Sequence, residues 1–155
     1  MLPKFRRIVL LVVAGAALAA LPGDVQAGGY TRQYYTSWSY YSTTRYYYRT
    51  YYYYPTPVAT TYSYHYTIYY PSQPRYVYYY NPVSHQYWGR FEFGEDGQPK
   101  GYSLLAEKDR KEKLADIPES AFPKPAAMPA IPGASDGVKM TPPPADLPPK
   151  DLPKG

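Results

Sequence analysis

YTRQYYTSWSYYSTTRYYYRTYYYYPTPVATTYSYHYTIYYPSQPRYVYYY, residues 30–80, holds 21 of the chain's 23 tyrosines in 51 positions and contains no Asp, Glu or Lys. The other residues are mostly Thr, Ser, Arg and Pro, with Trp38 and His65. A globular core draws on aliphatic side chains of varied shape, and this stretch has almost none. Tyr and Thr favour extended backbone. Tyr62, Tyr64 and Tyr66 alternate as one face of a strand does. A phase of six also runs through Tyr34, Tyr40, Tyr46, Tyr52, Tyr64, Tyr70 and Tyr76, interrupted at Val58. Six is a multiple of two, so an extended chain places these rings on one side. The composition predicts a disordered-to-extended low-complexity segment over residues 28–74, with no large globular core.

Residues 75–105 carry stronger strand patterning. Tyr76-Val77-Tyr78-Tyr79-Tyr80 is strand-like, and Asn81-Pro82-Val83-Ser84 has turn chemistry. In the strand that follows, alternation puts Tyr87, Gly89, Phe91 and Phe93 on one face and Gln86, Trp88, Arg90 and Glu92 on the other. Glu95-Asp96-Gly97-Gln98-Pro99 is a second turn, with a third strand ending near Leu105. The pattern predicts a small antiparallel β-meander over about 75–105. Good helix formers and the i,i+4 pairs Glu107–Lys111 and Asp109–Lys113 predict a short α-helix over about 105–116, capped by Ser103. From Pro118 there are 11 prolines in 38 residues, which predicts a disordered or polyproline-II tail over 118–155.

The amino terminus has the organisation of a secretory signal. Lys4, Arg6 and Arg7 precede an apolar run of 14 residues, 8–21, which is short against the roughly 20 that span a membrane. Pro22-Gly23 breaks the run, and Val25-Gln26-Ala27 supplies small residues for cleavage after Ala27. The expectation is a signal helix within residues 1–27, export to an envelope or extracellular compartment, and no membrane span after cleavage. The resulting domain organisation is 1–27 signal peptide, 28–74 tyrosine-rich segment, 75–117 meander plus helix, and 118–155 tail. The chain has no cysteine, so disulfides cannot support a thin core.

Charge is segregated along the chain. Residues 28–91 carry five arginines and no acid, whereas residues 92–155 carry 9 basic and 11 acidic residues. A net charge near +3 after signal removal is a weak attraction for polyanions. With export, this makes nucleic acid an unexpected partner. His65 and His85 lie 20 positions apart without neighbouring carboxylates, so metal ligation is not expected, and ordinary satisfied or solvent-facing histidines are. No serine stands in a nucleophile-elbow pattern, and no glycine-rich phosphate loop is present. Neither enzymatic activity nor a cofactor is expected.

The aromatics remain as working groups. Tyrosine offers a π face and a hydroxyl that is neutral at physiological pH. We expect a secreted or envelope-associated structural and interaction protein acting through multivalent tyrosine contacts, with dityrosine cross-linking as an option. The candidate stickers are Tyr34, Tyr35, Tyr40, Tyr41, Tyr46, Tyr47, Tyr52 and Tyr53, with Trp88 as a packing or binding aromatic. The expected partner is an envelope polymer or glycan, or further copies of the chain. One alternative is a carbohydrate-binding surface protein that uses exposed Tyr and Trp. Another is a non-specific spacer.

Three pieces carry a resemblance: residues 70–82 (Tyr-Pro-Ser-Gln-Pro-Arg-Tyr-Val-Tyr-Tyr-Tyr-Asn-Pro), Tyr87-Trp88-Gly89-Arg90-Phe91, and residues 116–123. In these the chain resembles tyrosine-rich secreted proteins of environmental bacteria, a resemblance that implies no activity. Tyr79-Tyr80-Asn81 followed by Trp88 resembles the second half of a WW domain. Here, however, the Asn-to-Trp spacing is one residue short, and the nearest upstream Trp is the distant Trp38.

Overall fold

A computed structural model describes residues 31–153. The expected signal peptide, its helix and the cleavage site after Ala27 lie outside the described residues. Within them the chain forms one curled antiparallel sheet of seven strands. These are β1 (Gln33–Tyr35), β2 (Ser39–Tyr41), β3 (Tyr46–Tyr53), β4 (Ser63–Tyr69), β5 (Tyr76–Asn81), β6 (Gln86–Phe93) and β7 (Pro99–Leu104). From β3 onward each strand pairs with the next, and β1 and β2 both lie along the free edge of β3. Together β1 and β2 form one edge strand with an extra residue. Tyr35 faces Tyr51 and Ser39 faces Tyr48. Between them, the Thr36 N–H donates to the Thr50 carbonyl (2.9 Å) while the Thr36 hydroxyl accepts from the Thr50 N–H (2.9 Å).

The expectation of a mostly disordered chain without a large core is therefore corrected. The tyrosine segment supplies β1 to β4, and both faces of the sheet are packed. On one face Tyr51, Tyr53, Tyr69, Val77, Tyr79, Phe91, Phe93 and Tyr102 form a core with Ile131 and Met140 of the C-terminal segment. On the other, Ile68, Tyr78 and Tyr87 pack with Leu105 and Ile117. The first is called here the covered face, the second the tyrosine face. Tyrosine builds a core here because several of its hydroxyls find acceptors, which buried polar groups need; the Tyr102 hydroxyl is buried without one. Tyr51 donates to Gln33 Oε1 at 2.5 Å. The hydroxyls of Tyr79 and Tyr35 lie 2.7 Å apart, and Tyr35 donates onward to the Thr141 carbonyl at 2.8 Å.

The meander expected over 75–105 is not a separate unit. Its three strands continue the sheet, since β4 and β5 pair with Tyr66 opposite Tyr80 and Ile68 opposite Tyr78. The facing inside β6 also differs from simple alternation. Tyr79 faces Gly89 and Tyr80 faces Tyr87, which leaves Trp88 as a bulge. A bulge flips the parity of what precedes it, so Tyr87 joins the tyrosine face while Phe91 and Phe93 stay on the covered one.

No α-helix occurs among the described residues. The segment expected as a helix over 105–116 instead makes short 3-10 turns at Glu107–Asp109 and Leu114–Asp116, with a third at Glu119–Ala121. The Tyr87 N–H donates to the Lys111 carbonyl at 2.9 Å, a carbonyl that a helix would have used internally. Leu105 and Ile117 are both buried against the sheet, too far apart in sequence to share the short apolar stripe of such a helix. Ser103, expected as its cap, lies in β7 and donates to the Pro123 carbonyl at 2.7 Å.

The proline-rich tail is likewise packed rather than disordered. Proline has no N–H to leave unsatisfied, so an extended proline-rich chain can lie on a sheet and offer only carbonyls. Trp38 Nε1 donates to the Asp146 carbonyl (2.8 Å), Arg49 to the Pro144 carbonyl (3.2 Å) and Gln33 to the Lys139 carbonyl (3.0 Å). Ala126 exchanges backbone hydrogen bonds with Tyr102 at 2.8 and 3.0 Å. That approach needs Gly101, whose φ is +136° and where a Cβ would collide with the Ala126 backbone.

Charge segregation along the sequence is resolved by this wrapping. Arg32 pairs with Asp136 (2.6 Å), Arg49 with Asp146 (2.8 Å), Arg75 with Glu92 (2.6 Å) and Arg90 with Glu119 (2.8 Å). Four arginines from the acid-free half are thus tied to carboxylates of the other half. Arg90 is also sandwiched between the Tyr76 and Phe122 rings, 3.9 and 4.0 Å from their centroids. Arg49 lies over Trp38 at 4.2 Å.

Candidate functional site

The tyrosine face arises from the strand register. Tyr34 faces Tyr52 and Tyr52 faces Tyr64, while Tyr48 faces Ile68, and Tyr66 lies between Thr50 and Tyr80. Adjacent in-register positions on one face bring rings within contact. Tyr34 and Tyr52 stack at 5.1 Å, Tyr52 and Tyr64 are 5.7 Å apart, and Tyr64 and Tyr66 are 5.6 Å apart. Tyr66 meets Tyr48 edge-on at 6.1 Å, and Tyr46 meets Tyr48 and Tyr70 at 6.4 and 5.5 Å. The array continues through Tyr78 to Tyr87 and Tyr80.

Within this face lies an open groove of about 450 Å³. Its walls are Tyr46, Tyr48, Tyr66, Tyr70, Tyr80 and Tyr87, with Ile68 among the lining and Tyr41 and Glu112 at the margin. Ile68 and Tyr87 are buried, whereas Tyr46, Tyr48, Tyr66, Tyr70 and Tyr80 are half-buried. The walls are held by one another. The Tyr70 and Tyr87 hydroxyls lie 3.0 Å apart, and burial pushes the pKa of both phenols up. Partial desolvation raises the Tyr66 phenol, reinforced by neighbouring Tyr64. Tyr80 is raised by desolvation and then by the Glu112 carboxylate. The Tyr66, Tyr70, Tyr80 and Tyr87 hydroxyls are therefore neutral at physiological pH. The groove offers flat rings, hydroxyl donors and acceptors, and one carboxylate.

No family model, curated protein or solved structure matches the chain.

The candidate aromatics separate by parity. Tyr34, Tyr46 and Tyr52 lie on the tyrosine face, and Tyr41 stands at the groove margin beside Tyr46 at 5.6 Å. Tyr35 and Tyr53 lie on the covered face, Tyr53 buried and Tyr35 half-buried. Burial raises the Tyr53 phenol to about 12. Tyr40 is turned by the edge bulge to pair with Tyr47 at 5.0 Å, and Tyr47 packs against the covered core. Trp88 is held between Arg110, 3.7 Å above its ring, and His65 at 5.4 Å, with its indole N–H buried. It packs, half-buried, against the covered core. The groove residues Tyr48, Tyr66, Tyr70, Tyr80 and Tyr87 were not singled out as stickers. The period-two run Tyr62-Tyr64-Tyr66 and the phase of six were the signals that pointed to this face.

His85 is exposed at the end of the β5–β6 turn, with φ +54°. His65 is neither satisfied nor solvent-facing. It is fully buried, packed edge-on against Tyr53 at 5.5 Å, and neither ring nitrogen has a hydrogen-bond partner. Desolvation, with Arg110 nearby, lowers its pKa to about 3. No group of three or more His, Cys, Asp or Glu side chains is placed to hold a metal among the described residues. None of their helices is long and apolar enough to cross a membrane.

Proposed function

We propose that this is an exported surface protein that binds a glycan through the groove on its tyrosine face. The observation that carries the reading is the ordered set of Tyr46, Tyr48, Tyr66, Tyr70 and Tyr80 rings around Ile68. The electron-rich face of a phenol attracts the polarised C–H groups of a sugar ring, and neutral phenol hydroxyls can donate to and accept from its hydroxyls. Rings fixed by cross-strand packing bind with little further loss of side-chain freedom. That favours the carbohydrate alternative over a flexible chain of stickers. It also tells against a spacer, which has no use for a packed core. Export rests on the leader-like residues 1–27.

The test is retention of the purified exported chain on insoluble cellulose, chitin and peptidoglycan. Tyr48→Ala and Tyr66→Ala should each weaken retention roughly tenfold, the scale of one lost aromatic hot spot. Trp88→Phe should leave it unchanged. A protein that passes through every matrix while sedimenting as an oligomer would instead be a self-associating structural protein.

A further inference from the structure

At the loop end of the β3–β4 ladder two phenols stand in contact. The last paired residues of that ladder are Tyr53 and Ser63. One step further Tyr54 and Tyr62 lie opposite each other, with ring centroids 3.7 Å apart and planes inclined by 34°. Other cross-strand phenol pairs are wider: Tyr35–Tyr51 at 4.9 Å, Tyr40–Tyr47 at 5.0 Å and Tyr34–Tyr52 at 5.1 Å. Tyr51 is also fully buried, whereas Tyr54 and Tyr62 are both half-exposed.

Each member of the pair is fixed in place. The Tyr54 N–H donates to the Arg32 carbonyl (2.9 Å), and Arg32 Nε donates back to the Tyr54 carbonyl (3.2 Å). The Tyr62 hydroxyl donates to the Thr31 carbonyl at 2.5 Å. The intervening residues, 55–61, include Pro55 and Pro57 and no other phenol.

We infer that Tyr54 and Tyr62 are a modification site at which a peroxide-driven haem peroxidase joins the two rings by a carbon–carbon bond. Each phenol loses one electron to the oxidised haem and one proton to solvent. The two phenoxyl radicals, with spin density at their ring carbons ortho to oxygen, form the bond between those carbons. The two displaced ring hydrogens then move to the oxygens and restore both phenols. The protein loses two hydrogen atoms, and one hydrogen peroxide is reduced to two waters. Contact already established in the fold makes the coupling intramolecular and favours it over bonds between chains. The product closes the β3–β4 loop covalently, a role that disulfides fill in exported proteins that have cysteine. The inference is independent of glycan binding.

The experiment treats the full chain with peroxidase and hydrogen peroxide at dilute protein concentration. Monomer is then isolated, and its dityrosine fluorescence and thermolysin peptide map are read. The expected result is fluorescent monomer whose cross-linked peptides contain Tyr54 and Tyr62, with a raised urea midpoint. Tyr54→Phe and Tyr62→Phe each keep the ring packing, and near-UV circular dichroism verifies their folding. In both, monomer dityrosine should fall several-fold, while Tyr40→Phe leaves it unchanged. The inference is overturned if monomer dityrosine is absent, if it survives both variants, or if it occurs only in covalent multimers.

Discussion

Arg49 lies fully buried on the sheet, and its Nη1 is 2.8 Å from the carboxylate of Asp146, 97 residues further along the chain. The guanidinium also faces the Trp38 and Tyr35 rings. A charge taken out of water is stable only where partners replace the lost hydration, and here the tail supplies a carboxylate and the Pro144 carbonyl. Docking of the tail and burial of the arginine are therefore one event.

Removing the acid should cost more than removing both charge and need. Asp146→Ala strands a buried guanidinium and is expected to lower unfolding free energy by about 1–3 kcal/mol. Arg49→Met fills similar space without a charge and should cost less, because replacing a buried ion by an apolar side chain is often near neutral. Urea denaturation of both variants decides the order. The reverse ranking would mean that the guanidinium's contacts with Trp38, Tyr35 and the Pro144 carbonyl outweigh the cost of leaving its charge unpaired.

Acid should weaken the fold before the carboxylates titrate. His65 has an ordinary pKa of 6.5, lowered in the folded protein to about 3. The unfolded chain therefore binds a proton that the folded one refuses. The contribution is complete above pH 6.5 and is lost as pH falls toward about 3, with a slope of at most about 1.4 kcal/mol per pH unit. Glu119 and Asp136 also have lowered pKa values, held by Arg90 and Arg32, but they act at lower pH. His65→Phe should flatten the stability curve between pH 6.5 and 4.5. An unchanged slope there would show that His65 is protonated inside the fold.

Alkali should act through the buried phenols of both faces. Burial raises the Tyr79 and Tyr102 phenols well above 10, and Tyr78 to about 12. The folded state retains protons that the unfolded chain releases near pH 10. This stability is present below pH 10 and is lost as pH rises. Ultraviolet titration should show an immediate phase from exposed phenols and a slower one coincident with loss of near-UV circular dichroism. A single reversible phase with intact circular dichroism would contradict the packing.

Gly101→Ala and Gly97→Ala make a controlled pair. Both positions have positive φ, but a Cβ at Gly97 meets nothing within 4 Å, while at Gly101 it meets the Ala126 backbone. Gly97→Ala should cost about 1–2 kcal/mol through left-handed strain. Gly101→Ala should cost about 3 kcal/mol or more, as displacement of the tail is added. Equal costs in chemical denaturation would show that the Tyr102–Ala126 pairing contributes little.

The candidate site was legible in part. The phase of six does place Tyr34, Tyr46, Tyr52, Tyr64, Tyr70 and Tyr76 on one side, because the pairing of β3 with β4 and of β4 with β5 preserves parity. It fails at Tyr40, where an extra residue in the edge strand turns the ring over. A second bulge at Trp88 separates Tyr87 from Phe91 for the same reason. Bulges depend on what the partner strand offers, and a single strand's alternation carries no sign of that.

What the amino-acid order determined alone was local: extended backbone wherever Tyr and Thr dominate, turns at Asn81-Pro82 and Asp96-Gly97, and a tail unable to form a helix through its prolines. Tertiary structure decided that these pieces fold at all. Aliphatic filler is scarce, so stability depends on phenol hydroxyls reaching acceptors and on arginines of one half reaching carboxylates of the other. Such partners lie up to about a hundred positions apart. Composition states that donors and acceptors exist, and only the folded chain brings each to the other in place of water.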